Sequence, residues 1–125
     1  MPSPTQLLGA CAERIAEEFL RARGLSILHR NFHQRAGELD LVAREGQVLV
    51  IAEVRLRSGR ACGGAAASID ARKQRRIVRA TQRLLQHHPH YARLPVRFDA
   101  LLVEAPRATA PRVTWIRHAF EAPPA

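Results

Sequence analysis

A chain of 125 residues with 46% hydrophobic content supports one domain with a real core and leaves little room for two. No apolar run approaches the roughly 20 residues that span a bilayer, and Met1-Pro2-Ser3-Pro4-Thr5 lacks the basic and apolar regions of a secretory signal, so membrane and secreted classes are disfavoured. Cys11 and Cys62 show no CxxC spacing, which fits a reduced, cytoplasmic protein, and the net charge of +9 points to a polyanionic partner.

In chain order, Leu7, Leu8, Cys11, Ile15, Phe19 and Leu20 recur at helical spacing and predict a helix over 6–23, with Thr5 as N-cap and Gly24 as the stop. Residues 25–32 read as a strand. A β-hairpin of 38–45 and 47–57 follows, with Arg44-Glu45-Gly46-Gln47 as its turn. Residues 58–67 are small and glycine-containing and read as a mobile loop. Ser68 or Asp70 caps a second helix running to His87, whose apolar stripe is Ile69, Ile77, Ala80, Leu84 and Leu85; Pro89 marks its end. Val96–Val103 reads as another strand, with Val96, Phe98, Ala100 and Leu102 on one face. Arg112–Arg117 reads as a short edge strand carrying Trp115, and 121–125 as a frayed tail. The order α-β-β-β-α-β, with a final strand, predicts an α/β fold: a mixed sheet flanked by helices in one domain over 1–120.

The hairpin holds the most informative residues. A loop centred on Glu45-Gly46 sets Glu38 opposite Glu53 and Asp40 opposite Ile51. Side chains alternate along a strand, so Glu38, Asp40, Glu53 and Arg55 share one face, with Val42, Leu49 and Ile51 nearer the turn. The other face, Leu39, Leu41, Ala43, Val48, Val50, Ala52 and Val54, is uniformly apolar. Asp40 and Glu53 become diagonal neighbours about 7–8 Å apart, close enough to converge on one ion. Carboxylates in apolar strands are costly unless compensated. A divalent metal beside a phosphodiester would compensate them, and so would an ion-pair network with Arg55 and Arg35.

From Arg55 to Arg97 the chain has eleven basic residues and a single acid, Asp70. A GC-rich coding sequence accounts for arginine over lysine, but not for the missing acids. Arg72, Lys73, Arg75, Arg76, Arg79 and Arg83 cover the second helix outside its apolar stripe. With Arg57 they suit a phosphate-tracking surface; the alternative is a merely solvated face. Asp99, beside Arg97, reads as structural, Glu17 and Glu18 as solvated, and His87, His88 and His90 as cations at a helix C-terminus rather than metal ligands. Gly63-Gly64 lacks the Gly-Lys-Ser/Thr ending of a phosphate loop. No aromatic pair is placed for base stacking.

Asp40, twelve residues, then Glu53-Val54-Arg55 resembles the Asp…Asp/Glu-x-Lys core of the restriction-endonuclease-like nucleases. Gly9-Ala10-Cys11-Ala12-Glu13 is similar to the Gly-x-x-x-Glu of archaeal Holliday-junction resolvases. Together with Gly37-Glu38-Leu39-Asp40-Leu41, Gly63-Gly64-Ala65-Ala66-Ala67-Ser68, Lys73-Gln74, Arg97-Phe98-Asp99 and Trp115-Ile116…Ala119-Phe120, these motifs resemble the bacterial YraN-like family over nearly the whole chain.

The resemblance implies a restriction-endonuclease-like fold and a cytoplasmic, metal-dependent endonuclease acting on nucleic acid, DNA rather than RNA, including branched or structured DNA, with a homodimer as one arrangement. It implies that Asp40, Glu53 and the Val54 carbonyl hold Mg²⁺ or Mn²⁺, with Glu13 reaching in from the first helix. Arg55 stands where those nucleases carry lysine. Arginine stays protonated and cannot be a general base, although it can grip phosphate. The departure leaves two rivals: an inactive nucleic-acid-binding module, and an interaction protein with an acidic partner.

Overall fold

The computed structural model describes residues 4–35, 37–57, 69–104 and 110–122, and for 4–10 the backbone alone. The elements are α1 (Pro4–Ala22), β1 (Ser26–Gln34), β2 (Gly37–Glu45), β3 (Val48–Arg57), α2 (Ala71–His87), a 3₁₀ turn (Pro89–Arg93), β4 (Val96–Glu104) and β5 (Arg112–Phe120). Among the described residues the strands form one sheet in the order β1-β2-β3-β4-β5. All neighbours are antiparallel except β3 and β4, which run parallel. A parallel pair needs a long crossover, and α2 lies within it. The result is a mixed α/β domain, its sheet covered on both faces. The loop expected at 58–67, Cys62, Gly63-Gly64 and Ser68 lie outside the described residues, as do 123–125 of the expected tail.

Local chemistry explains the element ends. α1 starts at Pro4, so Thr5 lies inside the helix rather than capping it. Its stop is as expected: Gly24 takes φ +90°, its N–H donates to Arg21 O at 3.0 Å, and Leu25 N–H donates to Leu20 O at 3.1 Å. This paired pattern closes the last turn around a left-handed residue. Asp70 caps α2, accepting from Lys73 N at 2.8 Å.

The two helices cover different apolar sets. α1 lays Ala12, Ala16 and Leu20 on Leu41, Ala43, Val50, Ala52, Leu101 and Val103. Cys11, expected in the α1 stripe, is exposed, and the small Ala12 and Ala16 take the contact instead. α2 lays Ile77, Ala80 and Leu84 on Val42, Leu49, Ile51, Phe98 and Ala100. Leu39 was expected beside Leu41 but packs on the α2 side. Leu39 and Leu41, on either side of Asp40, thus pack against opposite helices. Asn31 on β1 has φ +50°, and the β1–β2 ladder pairs Arg30 with Leu41 and Phe32 with Leu39 around it.

The hairpin register also differs from expectation. The loop is Gly46-Gln47, Gly46 taking φ +58°, and Glu45 pairs with Val48. Val42 pairs with Ile51, and Leu41 with Ala52. Moving the loop by one position shifts partners by two, which preserves which residues share a face. Continued one step, this register sets Asp40 opposite Glu53 rather than Ile51, and it removes Glu38 from opposite Glu53.

Candidate metal and nucleic-acid site

Where the β2–β3 ladder ends, side chains replace it. Beyond Leu41 and Ala52, Val54 N–H donates to Asp40 Oδ2 at 2.9 Å, and Asp40 N–H faces Glu53 Oε2 at 3.4 Å. Asp40 thus takes the Val54 N–H that a continued ladder would have used. Both are buried; Glu53 is 2% exposed. Burial, and then the neighbouring Asp40, push the Glu53 carboxyl up to about 7. Burial raises Asp40 as well, against the backbone N–H of Val54 and the charge of Lys73. The pair is therefore short of positive charge.

The nearest cation is not the one expected. Lys73, at the start of α2, brings Nζ to 3.4 Å from Glu53 Oε1. Arg55 is half-buried two residues beyond Glu53, where its charge lowers Asp40 from a distance. The anticipated network with Arg55 and Arg35 is replaced, among the described residues, by this one lysine contact. Nothing in the linear sequence marks Lys73 for this place, because α2 must dock before its first turn meets β3.

Glu13 projects from α1 toward the same end of the sheet. Burial raises its carboxyl, and Asp40 raises it further. The Asn31 amide, turned with its nitrogen toward α1, donates to Glu13 Oε1 and Oε2 at 3.3 and 3.2 Å. Among the described residues, no group of three or more His, Cys, Asp and Glu side chains is disposed to hold a metal ion. A metal at this end would thus draw on two carboxylates and a main-chain carbonyl, with Glu13 acting through space. Clefts lie on both sides: one lined by Glu13, Arg14, Glu17, Arg30, Asn31 and Leu41, the other by Gly37, Glu38, Lys73, Arg76 and Ile77. A larger apolar cleft between α2 and β5 shares no residue with this end.

The remaining charged candidates separate by position. Glu38 is exposed and pairs with His33 at 3.0 Å. Glu17, expected in solvent, is buried, pairs with Arg21 at 3.2 Å and is bonded by Arg30, tying α1 to β1. Arg57 pairs with Glu104 on β4 at 3.5 Å. Arg72, Arg75, Arg76, Arg79 and Arg83 are all exposed along α2, a helix about 25 Å long at 1.5 Å per residue. His88 and His90 pack with His29 and Tyr91 at the far end of α2, and the His29 Nε2–Tyr91 Oη distance is 3.2 Å.

A family profile described as "Uncharacterised protein family UPF0102" matches residues 12–103. The chain belongs to this family. The matched span contains Glu13, the Asp40–Glu53 pair, Lys73 and the basic face of α2. UPF0102 proteins similar to it include one from Stutzerimonas stutzeri, 44% identical over 95% of this chain and 98% of the relative. Another, from Xanthomonas campestris pv. campestris, is 47% identical over 96% of each chain. A third, from Bordetella avium, is 48% identical over 98% of this chain and 80% of its own. The family is the one whose YraN-like motifs the sequence carries. Among the described residues, no helix is long and apolar enough to cross a membrane.

Proposed function

We propose that this protein is a metal-dependent, nuclease-like protein that binds nucleic acid, with Asp40, Glu53 and the Val54 carbonyl holding Mg²⁺ or Mn²⁺. The observation that carries this reading is the buried Asp40–Glu53 pair, two adjacent carboxylates opposed by one half-exposed ammonium. Hard divalent cations favour oxygen ligands of this kind. When bound, such an ion supplies an activated water and a Lewis acid for the scissile phosphate. The protein's own part is to hold the two carboxylates with backbone N–H groups, to raise Glu13 nearby, and to guide a phosphate backbone along Arg72, Arg75, Arg76 and Arg79. Arg55 adds positive charge for the phosphate. DNA, including branched DNA, is the substrate class, by resemblance to the restriction-endonuclease-like and junction-resolving nucleases.

Calorimetric titration with Mn²⁺ is the test, comparing the native chain with the Asp40→Asn plus Glu53→Gln double variant. Binding that vanishes in the double variant supports the site. Cleavage is then sought on duplex, single-stranded, flap and four-way DNA. A native chain that neither binds the ion nor cuts any of these overturns the proposal. The second reading, a binding module without catalysis, is favoured by Arg55 in the lysine position. Arg55→Lys separates the two, since a gain of cleavage assigns the missing step to that residue.

A further inference from the structure

Lys73 is the only lysine of the chain. Its backbone is fixed by the Asp70 cap, because Lys73 N is the donor that Asp70 accepts at 2.8 Å. Its side chain is 46% exposed, yet Nζ lies 3.4 Å from Oε1 of a Glu53 that is almost fully buried. A close approach between β2 and α2 makes this reach feasible. Gly37 takes φ +154°, and a Cβ there would meet Arg76 Cβ at 3.1 Å and Arg76 O at 3.2 Å. The missing side chain thus lets the hairpin close on the first turns of α2. Lys73 and Arg76 then line one cleft with Gly37, Glu38 and Ile77.

Two properties of this contact stand out. A half-exposed single-charge pair is weakly held. An ammonium on a flexible four-carbon stem is also easily moved, unlike the planar fork of Arg55. Building on the metal site proposed above, we infer that Lys73 is a displaceable counter-ion: it neutralises Glu53 while no metal is bound, and a divalent cation entering between Asp40 and Glu53 releases its ammonium to the phosphate of the bound nucleic acid. The site then changes its own positive charge without leaving the two carboxylates bare. It also acquires a mobile cation that Arg55 does not provide.

The test uses the full chain and the variants Lys73→Met and Lys73→Gln, both at an exposed helix position. Calorimetry with Mn²⁺ at pH 8 is expected to show both variants binding roughly two- to fivefold tighter than native, because a weak competitor is gone. Duplex DNA binding is then followed against salt, with and without Ca²⁺. With Ca²⁺ the salt slope of the variants is expected to fall by about 0.9, one phosphate contact, and without metal to match native. Unchanged Mn²⁺ affinity in the variants, or the same loss of slope with and without Ca²⁺, overturns the inference while leaving the metal site standing. A native chain that binds no Mn²⁺ overturns both.

Discussion

Two regions of this sheet bury carboxylates and treat them differently. Asp99, on β4, is fully buried and receives Arg97 Nε and Nη2 at 2.9 Å each, Trp115 Nε1 at 2.8 Å and His118 N at 3.2 Å. Arg97 also donates to Glu45 Oε1 at 2.9 Å, and Arg117 to Glu45 Oε2 at 3.1 Å while it stacks on Trp115. Every charge there meets an opposite one, and Asp99 holds the Arg97 guanidinium above its ordinary range. At the β2–β3 end, Asp40 and Glu53 face each other with one N–H contact each and a single loose ammonium. The contrast separates a carboxylate that fastens strands together from a pair left short of opposite charge.

The largest effect expected from this comparison is at the fastened end. Asp99→Asn takes from Arg97 the fully buried one of its two charge partners, leaving only Glu45, and is expected to cost about 3–5 kcal/mol, read as a drop in urea midpoint. A loss under about 1 kcal/mol would erase the contrast.

At the open end the sign reverses. The Glu53 carboxyl rises from an ordinary 4.5 to about 7 in the folded chain, so between these values the folded state holds more protons than the unfolded one. Metal-free stability is therefore expected to fall as pH rises from about 4.5 to about 7 and to level off above, by an amount of order 2 kcal/mol. Urea melts at pH 5 and 8 measure it. Asp40→Asn plus Glu53→Gln should flatten this slope and be more stable than native at pH 8 by roughly 1–3 kcal/mol. A double variant less stable than native at pH 8 would mean the pair is as well compensated as Asp99.

Gly37→Ala is expected to cost about 1–2 kcal/mol, since its backbone is strained for any other residue and its methyl group meets Arg76. Thermal melting gives the cost, and a matching change in Mn²⁺ affinity would show that the β2–α2 approach sets the Lys73 contact. The smallest structural effect is on the basic face. Arg79→Gln should leave stability within about 0.5 kcal/mol, yet reduce the salt slope of DNA binding by about 0.9. An unchanged slope would place the phosphate path elsewhere.

How much of this was legible follows from the kind of signal each residue gives. The helices were legible because their apolar spacing, the Asp70 cap and the Gly24 stop are local. The shared face of Asp40 and Glu53 was legible because side-chain alternation survives a register shift of two. Their direct opposition was not, since the expected loop centred on Glu45-Gly46 puts the glycine second, whereas the fold starts the loop with it. The crossing of Leu39 to the α2 side was not legible, because it breaks the side-chain alternation on which the strand reading rests. Glu17 looked like solvent charge until α1 and β1 brought Arg30 to it. Lys73 looked like one more phosphate contact, because its place beside Glu53 depends on a glycine in another element.

Asn31 has a counterpart. His118, on β5, has φ +53°, so each outer strand carries one residue that wrenches its backbone out of the regular pleat. Around these kinks the outer strands carry Arg30, His33, Arg112 and Arg117, all exposed. An outer strand that is bent and positively charged offers poor hydrogen-bond register to an incoming strand and repels a like copy. As far as it is described, each rim of the sheet is thus a poor template for strand addition. Bent, basic rims of this kind keep bare backbone donors and acceptors from templating the aggregation that open β-edges invite.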